Sequence, residues 1–230
     1  MTAPYLILTN IQSLSPKLDD LSAAIALHNP DIFAISETWL TEYIDDVTIN
    51  IPYYSLLRHD RNDGRRGGGV CAYLHYNLRY EVLSNQDSPS FIDCLTFRIL
   101  STDTLVIVLY VPPNLDASQC NQVVGFLIDF CDSSSSSNFM IIGDLNHLRT
   151  NDIELSLSVV QVVNNPTRGN AVLDKILLSK NLLPFYCDKC CTSDYTCTPS
   201  VAKVEEPIGN SDHCTVFLKP LILPDVNTCI

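Results

Sequence analysis

Positive charge is what this chain has least of. Lysine and arginine number 14 against 26 aspartates and glutamates, a formal net charge of −12 over 230 residues. That balance argues against a protein that coats nucleic acid nonspecifically, which needs a broad basic surface. It does not exclude an enzyme acting on nucleic acid, because a metal site is built from carboxylates and basic charge can be concentrated locally. Long hydrophobic runs are missing too. None reaches the roughly 18 residues of a transmembrane helix, so no membrane association is expected. Residues 1–12 lack a basic start followed by a long apolar core, so no secretory signal is expected. The protein is therefore expected to be intracellular, nuclear or cytoplasmic, and not secreted. Its ten cysteines are expected to be reduced, with Cys71, Cys94 and Cys214 acting as small hydrophobes inside apolar runs.

Apolar residues are plentiful. At 46% of the chain they allow a sizeable core and argue against overall disorder. Residues 1–220 are expected to form a single domain, with 221–230 as a tail. Residues 5–9 read as a buried strand ending at Asn10. Ser15 as N-cap and Pro16 at the first helical position open a helix with an apolar stripe at Leu18, Leu21 and Ile25. Asn29-Pro30 stops it, and residues 31–36 form the next strand, delivering Glu37. A strand–helix–strand unit of this length implies a parallel pair, with Asn10 and Glu37 together at the carboxyl edge of a sheet.

Strands are expected next over 53–57, 70–74, 80–83, 91–99 and 104–110, the fourth alternating as a half-exposed antiparallel strand would. A helix over 117–130 carries Cys120, Val123, Val124, Leu127, Ile128 and Cys131 on one face. A serine run over 133–137 links it to the strand before Gly143. A short helix is expected over 152–160, a strand with Asp174 embedded over 171–178, and a last strand over 214–218. Hairpin-spaced strands lying between strand–helix–strand units suggest sheets packed face to face with helices outside.

The central stretch is Phe139-Met140-Ile141-Ile142-Gly143-Asp144-Leu145-Asn146. A carboxylate and a carboxamide two residues apart point the same way if the strand continues, and suit a hard cation, a phosphate or an aimed water. Gly-Asp-x-Asn alone is equally a turn. Asp174 among apolar neighbours needs a partner, and a histidine would satisfy it. Gly209-Asn210-Ser211-Asp212-His213 brings one at the mouth of the last strand. The only dense basic segment runs from Arg58 to Gly69; with Arg61, Arg65 and Arg66 it could bind phosphates, or it is a solvated loop whose aspartates offset its charge. Arg168 lies in a second polar loop. The cysteines from Cys187 to Cys197 lack a second C-x-x-C or histidine pair, which gives a zinc site little support.

Taken together, Asn10 in TNIQSL, Glu37 in ISETWL, Tyr110 in LYVPPN, Asp144 and Asn146 in IIGDLN, Asp174 in NPTRGNAVLDKIL, and Asp212 and His213 in GNSDHCTV resemble the endonuclease/exonuclease/phosphatase family. Within it they are most similar to the endonuclease domains of LINE-type non-LTR retrotransposons, whose glycine-rich segment RNDGRRGGGV resembles. The resemblance spans residues 5–217.

It implies an α/β fold, a four-layer sandwich of two packed mixed β-sheets flanked by helices, with the site at one rim. It also implies Mg²⁺-dependent phosphodiester cleavage, with Mn²⁺ as an alternative ion. Carried over by motif, Glu37 is the principal metal ligand, with Asn10 close by and Asp212 as a further acidic member. His213, oriented by Asp174, contacts the phosphate or moves a proton. Asp144 aligns the attacking water beside Asn146, and Tyr110 helps hold the phosphate. Arg61, Arg65, Arg66 and Arg168 are candidate substrate contacts.

The implied partner is DNA, the implied state a monomer, and full-length relatives would add a reverse transcriptase domain that does not follow here. Gln12 stands where the repair-nuclease branch has an acidic residue, and Lys175 stands where retroelement relatives usually carry an apolar one. RNA or a phosphomonoester as substrate, and a catalytically inactive retroelement remnant, stay open on the residues alone.

Overall fold

The structure is a computed structural model that describes residues 3–61, 64, 67–84, 87–187 and 201–221. Arg65, Arg66, the cysteine segment 188–200 and the tail from 222 lie outside the described residues. The elements are β1 (Leu6–Asn10), α1 (Leu18–His28), β2 (Ile32–Ser36), β3 (Tyr54–His59), β4 (Val70–His75), β5 (Tyr80–Val82), β6 (Asp93–Ile99) and β7 (Thr104–Tyr110). They continue with α2 (Ala117–Ser133), β8 (Asn138–Asp144), α3 (Asn151–Leu157), β9 (Val159–Gln161), β10 (Asp174–Ser179), β11 (Lys203–Glu205) and β12 (Thr215–Leu218).

These strands form two six-stranded sheets, ordered β11-β12-β1-β2-β4-β3 and β5-β6-β7-β8-β10-β9. Each holds one parallel pair, β1 with β2 and β7 with β8, because each of those connections carries a crossover helix. Leu6, Leu8, Ile32 and Ala34 of the first sheet meet Val106, Val108, Met140 and Ile142 of the second in one core. On the outer faces, Leu21 and Ile25 of α1 cover Ile7, Phe33 and Ile35, while Val123 and Leu127 of α2 and Ile153 of α3 cover Leu105, Ile107 and Ile141. Four layers result. Central strands buried on both faces read as continuous apolar runs, and a one-residue slip would exchange the two sets of side chains, so both cores specify the register.

Local chemistry explains where the elements depart from expectation. Ser15 is not an N-cap: Ser15–Lys17 form a 3₁₀ turn and α1 begins at Leu18 with no side-chain cap. Its end is as expected, with Asn29 left-handed at φ 46° and its N–H bonded to the Ile25 carbonyl. Helix α2 starts from a capping box, Asp116 with Gln119, which closes two of the open N–H groups at its first turn. Strand β6 is covered on both sides rather than half-exposed, since Cys94 joins the outer core and Leu95 and Phe97 the inner one. Helix α3 stops at Leu157, because Ser158 turns left-handed at φ 51° and releases the chain into β9. Among the described residues, no helix is long and apolar enough to cross a membrane.

Candidate active site

Side-chain alternation builds the site. The inward-facing residues of β7 are Val106 and Val108, and the next inward position is Tyr110. In β8, Met140 and Ile142 lead in the same way to Asp144; β10 carries Asp174 ahead of Ile176 and Leu178, and β6 carries Asp93 ahead of Leu95 and Phe97. These four rim positions are in register: Asp93 pairs with Tyr110, Tyr110 with Asp144, and Asp144 with Asp174. The facing sheet ends likewise at Asn10 and Ser36, also a register pair, with Glu37 next along the chain.

Hydrogen bonds join the two rims. Asn10 Nδ2 donates to Glu37 Oε1 at 3.0 Å and to Asp144 Oδ2 at 2.9 Å. Asp144 Oδ1 accepts from the Asn146 backbone N–H at 3.0 Å, and Glu37 Oε2 accepts from Trp39 Nε1 at 3.2 Å. His213 Nδ1 lies 2.8 Å from Asp174 Oδ2. The start of β10 is pinned by Thr167 Oγ1, which accepts from the N–H groups of Leu173 and Asp174. Ser211 Oγ donates to the Asn10 carbonyl at 2.7 Å and so fixes the turn that carries His213. Among the described residues, His213 Nε2 and Asp174 Oδ1 are buried without a hydrogen-bond partner.

The backbone is strained at this rim. Gln12 (φ 47°), Ser13 (80°), Glu37 (53°), Trp39 (53°) and Asn146 (47°) are all left-handed. Each costs on the order of 1–2 kcal/mol, so a cluster of them marks a place held for function. Interlocking bonds hold it: Ser13 N–H to Glu37 O at 2.9 Å, Thr38 N–H to Gly69 O at 3.2 Å and Trp39 N–H to Gly68 O at 2.9 Å. Lys17 Nζ adds bonds to the carbonyls of Ile11 and Gln12 at 2.5 and 2.7 Å.

Electrostatics distinguish the groups. Burial, then the neighbouring Asp174 charge, pushes the Asp144 carboxyl up to about 7. Burial raises the Tyr110 phenol, and the carboxylates of Glu37 and Asp144 raise it further. Burial works against the His213 imidazolium, but the bond to Asp174 and the charges of Asp174 and Asp144 outweigh it, so the ring titrates above an ordinary histidine.

Ligand atoms of Asp144, Asp174 and His213 lie within 4.8 Å of one another, and Asn10 ties Glu37 to Asp144. Crowded carboxylates, one of them raised by burial and then by its neighbour's charge, fit a divalent cation that would supply positive charge. Oxygen donors suit Mg²⁺ or Mn²⁺.

The structure thus gathers Asn10, Glu37, Tyr110, Asp144, Asp174 and His213 at one rim. Asn146 does not continue a strand beside Asp144: β8 ends at Asp144, and Asn146 turns so that its Nδ2 donates to Val111 O at 2.8 Å. Asp212 sits at the edge, half-exposed, with its oxygens on Arg168 at 2.6 Å and Gln12 Nε2 at 2.6 Å; its Oδ1 is 3.9 Å from His213 Nε2. Arg168 is correspondingly engaged by Asp212. Arg61 is not a free phosphate contact, because it is buried in an ion pair with Asp93. Lys175 turns away from the site and donates to the carbonyls of Asn146 and Leu148. Asp93 and Trp39 were missed. The spacing Asp93-Leu95-Phe97-Ile99 carried the signal for Asp93, a polar residue on the inward alternation of a core strand.

The molecule is thus an α/β four-layer sandwich whose carboxylates and histidine, collected at one rim, could hold a divalent cation. Residues 7–213 match the model of the Endonuclease/Exonuclease/phosphatase family, and the chain belongs to that family. The family's enzymes are generally divalent-metal-dependent phosphoesterases, and the acidic cluster fits that requirement.

Among solved structures, the AP endonuclease LMAP of Leishmania major is similar at 13% identity and TM-score 0.65, over 93% of this chain and 86% of that one. The 3′ phosphatase NExo from Neisseria, solved with a product DNA hairpin, is similar at 14% identity and TM-score 0.65, over 95% and 99%. An AP endonuclease from Archaeoglobus fulgidus is similar at 16% identity and TM-score 0.63, over 94% and 98%. At these identities the likeness establishes the fold. No curated protein sequence matches the chain.

Proposed function

We propose that the protein is a Mg²⁺-dependent endonuclease that nicks DNA, of the kind carried by LINE-type retrotransposons. The observation that carries this reading is the Asn10 bridge between Glu37 and Asp144, set beside the His213–Asp174 pair. Glu37, with Asn10 and the neighbouring carboxylates, would hold the ion. When bound, the ion neutralises charge on the phosphate and on the leaving oxygen.

The chain's own groups do the rest. Asp144, its carboxyl raised to about 7, accepts in its ionised form a proton from the attacking water. Asp174 orients His213 and favours its protonated form, in which Nε2 donates to a phosphate oxygen. Tyr110 helps hold the phosphate. The retroelement assignment rests on the motifs around Glu37, Asp144, Asp174 and His213 and on the glycine-rich segment. A phosphomonoester is the second reading, favoured by the net charge of −12, which leaves few cations to release counterions from a long polymer.

Supercoiled plasmid decides between them. Wild type should nick it with Mg²⁺ and not with EDTA, and Glu37→Ala and His213→Ala should each lose about 10²-fold or more. Turnover of a phosphomonoester by a folded wild type that leaves plasmid intact would replace the first reading with the second.

A further inference from the structure

We propose that Arg61 is a positioning residue for Tyr110 and not a phosphate ligand. The proposal deepens the endonuclease reading and rests on it for its kinetic consequence.

Arg61 follows β3 in the basic, glycine-rich segment, where an arginine would ordinarily reach for phosphate. Its guanidinium is already engaged in a buried ion pair. Nη2 donates to Asp93 Oδ2 at 2.5 Å and Nε to Oδ1 at 3.3 Å, and the two side chains are only 7% and 5% exposed. Asp93 Oδ2 also accepts the Gly69 N–H at 2.9 Å, which closes the glycine segment onto β6. Gly68 is left-handed at φ 77°, and a Cβ there would have to displace Arg61 Cζ, 2.2 Å away.

Arg61 Cζ also lies 5.2 Å from the centre of the Tyr110 ring, within reach of a cation–π contact. Asp93, which holds the cation, is the cross-strand partner of Tyr110. The ring is therefore fixed by a charge that its own neighbour places over it. The Tyr110 phenol faces the carboxylates of Glu37 and Asp144, and Arg61 is a cation that opposes them there.

The pair also joins the sheets. Gly68 and Gly69 accept the N–H groups of Trp39 and Thr38, next to Glu37. Arg61 and Asp93 thus tie the loop that holds Glu37 to β6, the strand paired with the one that carries Tyr110.

The test uses ring-¹³C-tyrosine protein, with the Tyr110 resonance assigned by its loss in Tyr110→Phe. Arg61→Met and Asp93→Asn should move that resonance, and Arg98→Ala, a surface pair with Glu81, should leave it alone. Because a lone buried charge can unfold a protein, Arg61→Met combined with Asp93→Leu is the companion variant; it removes both charges and should still displace the resonance. In Mg²⁺-dependent nicking, Arg61→Met should lower the single-turnover rate about 10- to 100-fold, the scale of a reacting group misplaced by roughly 1 Å. Arg61→Lys should recover part of that loss, and Arg61→Met should add nothing in the Tyr110→Phe background.

DNA affinity should keep its salt slope. A slope reduced by about one, with the rate unchanged, would make Arg61 a phosphate contact and overturn the proposal. An unmoved Tyr110 resonance in a folded variant would also overturn it. If wild type nicks nothing, the endonuclease reading falls, and the resonance still decides whether Arg61 places Tyr110.

Discussion

The two sheets meet at the same rim and furnish it in different ways. The second sheet supplies Asp93, Tyr110, Asp144 and Asp174 from strand positions, four cross-strand neighbours on one inward-facing row. The first sheet supplies only Asn10 from a strand. Glu37, Trp39, Asp212 and His213 come from loops just outside it, and Glu37 and Trp39 have left-handed backbones. One rim is a regular lattice, stiff because the core beneath it is stiff. The other is assembled from strained turns held by interlocking hydrogen bonds, which is where adjustable geometry is bought at the expense of stability. The arrangement puts the candidate water-activating carboxylate on the rigid side, and the proposed metal ligand Glu37 and the histidine on the strained side.

The comparison can be broken most severely at Gly143. Its backbone (φ 143°) passes so close to β7 that a Cβ would stand 1.9 Å from the Leu109 carbonyl oxygen. Gly143→Ala should therefore cost about 3 kcal/mol or more in urea unfolding, because backbone rather than a side-chain tip must move. A variant of wild-type stability would show that the row under Tyr110 and Asp144 is softer than its regularity suggests.

A middling effect is expected at Asp144. Its folded-state pKa is raised to about 7, above the roughly 4 of an unfolded carboxyl. The stability this shift contributes is complete below about pH 4 and is lost as pH rises through about 7. In EDTA, thermal melts of Asp144→Asn against wild type should shift steadily in the variant's favour between pH 4 and 8, and Mg²⁺ should reverse the trend at pH 8. A difference that does not move with pH would remove the crowded-carboxylate argument for a cation.

The smallest effect probes the strained side. At φ 53°, glycine escapes the Cβ penalty that alanine keeps. Metal-free Glu37→Gly should therefore be more stable than Glu37→Ala by about 1 kcal/mol, a few degrees in melting temperature, although both lack the carboxylate. Equal melting temperatures would mean that the left-handed turn stores little energy.

Much of the fold was legible because its strands are buried on both sides. Apolar runs such as Leu105 to Leu109 and Met140 to Ile142 announce themselves. The polar residue that ends an apolar run is then a rim residue, which is how Asn10, Glu37, Tyr110 and Asp144 could be read. Asp93 was hidden because its polarity sat at the start of a strand whose pattern suggested an exposed face. The burial of Arg61 was hidden because its partner lies 32 residues away in the other sheet, and local composition says only that the loop is basic. Strand β11 was hidden because Lys203-Val204-Glu205 is short and polar and exists by pairing with β12. The direction of Lys175 could not be read without knowing which face of β10 was inward. Two-residue alternation from Asp174 in fact settles it, once Asp174 is known to face the site.

The order of strands has a further meaning for the chain as it is made. The second sheet uses a continuous stretch, Tyr80 to Ser179, whereas the first needs β1 to β4 and then β11 and β12 from the far end of the fold. Its β1–β12 pairing joins Leu6 to Leu218, among the longest-range contacts in the molecule. A chain leaving the ribosome presents Glu37, Asp144 and Asp174 long before it presents His213. The carboxylates are translated first, and the histidine reaches them only when the last strand closes the first sheet, so a truncated or nascent chain carries an acidic cluster without its imidazole. The site is thereby completed only once the chain has been made through β12.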